Sequence, residues 1–180
     1  MWAESAVRVD RLDQAAARAR HALNLTDRVD ARIDRVRAMV VLARVAAAQQ
    51  RWDEATCQLA TAADELAGRP AYSAYAAEAY SGVPETALDL IAAGHGDRGV
   101  LDGIVDRGLA GLRTYVRAVP IAAPRHDLIA GRVARQHGHE RTARRLLQRA
   151  LRRAEDLGMP WEAEQARNQL AFEPRPATRR

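Results

Sequence analysis

Lysine is absent from this 180-residue chain, and all 28 basic side chains are arginine. That absence removes two chemistries from the chain taken alone. A phosphate-binding loop of the G-x-x-x-x-G-K-[ST] type needs its lysine, and so does a Schiff-base enzyme. A single cysteine, Cys57, allows no intrachain disulfide and no cysteine-rich zinc site. It sits in an amphipathic stretch and is read as a small apolar packing residue. Aromatics make up only 4% of a chain that is 48% hydrophobic, so the apolar content is carried by Ala, Leu and Val. The longest apolar run, near 38–48, is interrupted by Arg44 and is too short to span a bilayer. Residues 1–10 lack the charged and apolar regions of a signal peptide. These features predict a soluble, cytoplasmic protein with no membrane association, and the arginine and alanine content fits a high-GC bacterial gene. No segment alternates with period two for long enough to make a strand.

What remains is helix. Alanine is the best helix former, and a core rich in it lets helices approach closely. Gly and Pro punctuate the chain into segments predicted at about 3–25, 28–49 and 52–67, then from Pro70 to Gly82 and from Pro84 to Gly94. Further segments follow at about 98–119, 125–137, 140–157 and 161–172. Thr26-Asp27 is read as a cap for the second segment. The ending EPRPATRR has two prolines and little to bury, so 173–180 is expected to be a disordered basic tail behind one domain over 1–172.

Two stretches of the chain match each other. Ala43 is followed by Ala55, Leu59 and Ala62, and Gly131 is followed at the same offsets by Ala143, Leu147 and Ala150. The copies lie 88 positions apart, or two periods of 44. The first segment offers Ala15, Ala19 and Ala22, which match a second helix alone. Between the copies the match is poor: Gly99 stands where alanine is expected, Asp106 falls in a core slot, and Pro84 splits a helix.

In these small residues the chain resembles a tetratricopeptide-repeat (TPR-like) protein. The resemblance covers about 120 residues. It implies an all-α fold of antiparallel helix pairs stacked as a right-handed superhelix, with about three to four divergent repeats. The family's large aromatic is missing, since Met39 and Asp127 stand in its place. The stretch RALRRAEDLGMPWEAEQARNQLA also resembles, over some twenty residues, the repeat region at the C-terminal end of large bacterial LuxR-type and ATPase signalling regulators. Neither an ATPase motif nor a DNA-reading module accompanies it. The first helix lacks a repeat partner, which predicts self-association as a homodimer or a longer natural chain.

Charge is uneven. Residues 1–90 carry net −2 and residues 91–180 net +7, and nine arginines against three acids lie within 121–155. In the resembled family the first helix of each pair lines a concave groove. The positions that face a ligand map here onto Arg37 and Arg44 in one copy and onto Arg125, Leu128, Arg132 and Arg135 in the other. Guanidinium forks suit carboxylates and phosphates, so an acidic protein segment is the expected partner, bound without catalysis and without a cofactor. Two other readings of the arginines stand beside this one. They are solvated outward faces, above all Arg141, Arg144, Arg145, Arg149, Arg152 and Arg153; or the basic half binds nucleic acid. Against the last, no aromatic-interleaved basic patch is evident.

Catalytic constellations are thin. His126 and His137 stand about 16 Å apart along a helix and cannot share one ion. His137 and His139 flank a turn. His95 and Asp97 are a conceivable base and orienter but have no nucleophile beside them in sequence. Trp52, Trp161, Tyr72, Tyr75 and Tyr80 read as packing residues.

Overall fold

The structure, a computed structural model, describes residues 11–26, 31–67 and 73–171. The predicted basic tail, 173–180, lies outside the described residues. All regular structure among them is helical: α1 (Leu12–Thr26), α2 (Arg32–Ala48), α3 (Trp52–Leu66), α4 (Ala77–Ala92), α5 (Arg98–Ala118), α6 (Ala123–Gln136), α7 (Glu140–Asp156) and α8 (Pro160–Ala171). Short 3-10 turns at Ala74–Ala76 and Pro120–Ala122 precede α4 and α6. No described helix is long and apolar enough to cross a membrane.

The contacts gather into two compact units, Met1–Val119 and Pro120–Arg180. In the first, α1 packs on α2, the α2–α3 hairpin forms, and the α4–α5 hairpin stacks on it with α2 against α4 and α3 against α5. Its core is closed by Val36, Leu59, Tyr80, Leu88, Leu101, Ile104, Leu112 and Tyr115. In the second, α6, α7 and α8 pack mutually around Leu128, Leu147, Ala150 and Ala166.

The hairpin turns share one construction. Gln50, Gly94 and Gly138 each take a positive φ of 60°, 74° and 74° and lie 44 positions apart. After each, an amide reaches back to close the preceding helix: Arg51 N–H to Ala46 O at 2.8 Å, His95 N–H to Leu90 O at 3.0 Å, and His139 N–H to Ala134 O at 2.9 Å. These are Schellman motifs, which satisfy carbonyls left open at a helix end. The turn at Gly158 repeats the pattern, with Met159 N–H to Ala154 O at 2.8 Å.

The middle copy therefore exists, and the turns explain why its sequence match fails. α3 and α7 begin two residues after Gln50 and Gly138, but α5 begins four after Gly94. Gly96 and Asp97 are a two-residue insertion, and Asp97 caps α5 by accepting the Val100 N–H at 2.9 Å. Allowing for it, Leu101, Val105 and Gly108 stand where Ala55, Leu59 and Ala62 stand, and all six are buried. Asp106, assigned a core slot from the uncorrected period, is exposed, and so is Gly99.

The small residues do mark close approaches. A Cβ on Gly131 would lie 2.8 Å from Leu147 Cγ, and one on Gly108 2.8 Å from Pro84 Cδ. Pro84 does not split a helix: α4 runs through it, with Ser81 Oγ donating to Ala77 O at 2.8 Å one turn earlier. Burial of the proline ring against Gly108 holds the helix together where propensity alone would end it. Thr26 belongs to the end of α1, its hydroxyl donating to Leu23 O at 2.8 Å, so it does not cap α2. Cys57 is exposed and is not a packing residue, because it points away from the face that buries Ala55, Leu59 and Ala62.

Candidate functional site

The arginines expected to face a ligand are mostly engaged within the fold. In the first unit Arg37 is buried, its guanidinium 4.0 Å from the Tyr75 ring centroid and 4.0 Å from Asp34, whose Oδ1 also accepts the Tyr75 hydroxyl at 2.6 Å. Arg44 donates through Nε to Thr86 Oγ1 at 3.0 Å and through Nη2 to Glu85 Oε2 at 3.2 Å, joining α2 to α4. Gly82 makes that possible, because a Cβ there would meet Val40 Cγ1 at 2.8 Å.

In the second unit Arg125 is buried, 3.5 Å from Glu162 Oε1 and 4.8 Å from the Trp161 ring centroid. Arg135 clasps Glu140 with Nε and Nη2 at 3.2 and 3.0 Å and donates to Gln169 O at 2.6 Å, tying α6 to the start of α7 and the end of α8. The Arg135 hydrogen bonds to the carboxylate, with the charges of Arg135 and Arg144, hold the Glu140 carboxyl below its ordinary range. Arg132 is half-buried and also has an interaction partner. Leu128 is buried in the core cluster of the second unit.

Two arginines read from sequence as outward solvated residues have a different task. Asp127 is 1% exposed. Arg149 holds it through Nε at 2.7 Å and Nη2 at 2.5 Å, and Arg153 through Nη1 at 2.8 Å. His126 Nδ1 lies 3.2 Å from Oδ1. Burial alone raises this carboxyl; the His126 and Arg149 hydrogen bonds and the two guanidinium charges outweigh it, so the group titrates below the usual carboxylate range. The same hydrogen bond raises Arg149. An acid in a core slot, with arginines at i and i+4 on the facing helix, is the signal by which sequence could have found this cluster.

These pairings leave a residue of charge on one face. Arg141, Arg144, Arg145 and Arg152 are exposed on α7 and form no direct salt bridge among the described residues, although the Arg144 charge acts on Glu140. At 100° per residue they fall within about 100° of arc, over about 16 Å of helix. Asp156 lies one turn past Arg152 and ends the stripe. Glu155, on the same helix, is taken by Arg167 of α8 at 2.5 Å.

The first unit has a cleft of about 280 Å³ that includes Arg44, Trp52, Thr86, Asp89, Leu90 and His95. His95 is stacked on Trp52, ring centroids 3.8 Å apart and planes 10° from parallel. Asp97, the imagined orienter of His95, is spent on the α5 cap. His137 and His139 meet edge to face at 6.4 Å. Among the described residues no three His, Cys, Asp or Glu side chains are grouped to hold a metal ion.

No protein-family model, curated protein or solved structure matches the chain.

Proposed function

We propose that this chain is a non-enzymatic helical-repeat scaffold of the TPR-like kind, a regulatory module that docks an acidic protein segment on the outer face of α7. The single observation that carries the reading is the stripe of Arg141, Arg144, Arg145 and Arg152, cationic and without direct salt bridges among the described residues. The inner arginines, Arg37, Arg44, Arg125 and Arg135, are already neutralised by Asp34, Glu85, Glu162 and Glu140. Docking on them would first require breaking those pairs. The outer stripe is ready for carboxylates, which guanidinium binds in forked pairs. The recurring turns at Gln50, Gly94 and Gly138 support the repeat architecture.

A glutamate-rich helical peptide carrying a fluorophore tests this by anisotropy. The variant Arg141→Gln/Arg144→Gln/Arg145→Gln/Arg152→Gln should bind it about thirtyfold more weakly, four exposed pairs contributing about 0.5 kcal/mol each. Equal binding by the variant overturns the reading.

Nucleic acid is the second reading, favoured by the same arginines because they also fit phosphates. No aromatic side chain lies among the arginines of the stripe to stack a base. If it held, duplex DNA would bind in place of the peptide, and log affinity would fall with log salt at a slope of about −4 for four phosphates.

A further inference from the structure

Thr142 is the third residue of α7, exposed, and flanked in sequence by Arg141, Arg144 and Arg145. Its hydroxyl is free where those of the other described threonines are held. Thr56, Thr61 and Thr114 donate to the carbonyls of Trp52, Cys57 and Ala110, four residues back, at 2.9, 3.1 and 3.2 Å. Thr26 donates to Leu23 O at 2.8 Å, and Thr86 accepts from Arg44 Nε at 3.0 Å. Of the described serines, Ser73 accepts the Tyr75 N–H, and Ser81 is buried and donates to Ala77 O. For Thr142 the residue four back is Gly138, which lies before the helix in the left-handed turn. Among the described residues nothing bonds its hydroxyl. Modifying that oxygen therefore breaks no bond within the fold.

The surroundings suit an anion at that oxygen. On a helix, side chains three and four apart are neighbours. Three on from Thr142 is Arg145, exposed and without a direct salt bridge among the described residues; Arg141, just before it, is equally open. Three back is His139, also exposed. Glu140, the nearest carboxylate in sequence, is clasped by Arg135. The first turn of a helix carries amides with no intrahelical acceptor and the positive end of the dipole, and both favour a negative group. With few contacts to hold it, that turn is also the part of α7 that opens most easily to an enzyme.

We propose that Thr142 is a phosphorylation site, and that its phosphate, held by Arg145 and Arg141, switches off docking on α7. The step is transfer of the γ-phosphoryl group of ATP by a protein kinase. A P–O bond forms to Thr142 Oγ1, the bond to the ADP oxygen breaks, and the hydroxyl proton passes to the kinase's base. The switch rests on the reading of α7 as a docking face. A phosphate brings a charge of about −1.5 to −2 and draws charge-assisted hydrogen bonds from nearby arginines, which offsets about two of the arginines in the stripe.

The full chain is incubated with magnesium-ATP and a serine/threonine kinase that favours arginine beside its target, and mass spectrometry maps the phosphate. Thr142 should carry it, and Thr142→Val should lose that label. No phosphate at Thr142 overturns the site. The unmodified and phosphorylated chains are then compared with the labelled glutamate-rich peptide. Phosphorylation should weaken binding about fivefold, half of the stripe's effect on a logarithmic scale, while the melting midpoint holds or rises. Equal binding overturns the switch and leaves the docking face standing. No binding by the unmodified chain removes the docking face, and the switch with it. Phosphorus NMR tests how the phosphate is held: it should titrate at lower pH in the parent chain than in Arg145→Gln. Titration at the same pH in both overturns the role given to Arg145.

Discussion

Arg149 grips Asp127 across the α6–α7 hairpin with two hydrogen bonds, at 2.7 and 2.5 Å, and the two partners live in unlike surroundings. The carboxylate is 1% exposed, whereas the side chains of Arg149 and Arg153 are 43% and 46% exposed. The pair is therefore asymmetric towards mutation. Arg149→Gln with Arg153→Gln strands a buried anion and should cost about 3–5 kcal/mol. Asp127→Asn releases two arginines that reach water and should cost only about 1–2 kcal/mol. Urea denaturation of the variants checks the order. The depressed Asp127 carboxyl sets a sign for pH as well. Its stabilising effect is present above the unfolded carboxylate value of about 3.9 and is lost as pH falls through the lower folded value. Wild type should thus lose more stability on acidification than Asp127→Asn.

Three helical glycines separate close packing from propensity. Replacing a helical glycine with alanine gains about 1 kcal/mol from propensity alone. Gly111→Ala should show that gain, because its nearest neighbours would stand 3.7–3.9 Å from the new methyl. Gly108→Ala, three positions away on α5, should instead destabilise by about 1–3 kcal/mol, since Pro84 stands at 2.8–3.2 Å and its ring cannot yield. Gly131→Ala presses on Leu147 at 2.8 Å and should also destabilise. Opposite signs for Gly111 and Gly108 in the same denaturation series are the expected result.

Tyr80 and Tyr115 stack within the first unit, centroids 4.5 Å apart and planes 5° from parallel, and Tyr115 donates to Ser73 O at 2.8 Å. Burial, and next the neighbouring Tyr80, push the Tyr115 hydroxyl up to about 12 from an ordinary 10.0. Between those values the unfolded chain gives up this proton and the folded chain keeps it, so stability falls as pH rises from about 10 to about 12. Tyr115→Phe should flatten that alkaline loss while lowering stability at neutral pH by about 1 kcal/mol for the missing hydrogen bond. Helicity and phenolate absorbance recorded against pH check both.

Much of the helical layout is legible in the sequence, because Ala55, Leu59 and Ala62 and their counterparts Ala143, Leu147 and Ala150 carry the packing in their sizes and spacing. The middle copy was hidden for a physical reason. A two-residue insertion at Gly96–Asp97 rotates the contacts of α5 out of the 44-residue register, which sends Asp106 to solvent and Gly108 to the core. Gln50 hid the shared turn, since a glutamine stands where Gly94 and Gly138 mark the left-handed residue. Pro84 misled because local propensity carries no knowledge of the glycine it packs against. Charges were the least legible. Whether an arginine faces a ligand or an internal acid depends on residues far off in sequence, as Glu162 is from Arg125 and Asp127 from Arg149.

The central claim is that recognition rests on the outer arginines of α7 and not on those already paired inside the fold. The most direct measurement is the affinity of one labelled glutamate-rich peptide for two variants of matched charge loss. One carries Arg141→Gln, Arg144→Gln, Arg145→Gln and Arg152→Gln; the other carries Arg37→Gln, Arg44→Gln, Arg132→Gln and Arg135→Gln. Circular dichroism establishes that each keeps its helices at the assay temperature. Loss of binding in the first variant, with binding retained in the second, is the predicted result. Retention in the first and loss in a still-folded second would contradict the account and return the docking site to the inner arginines.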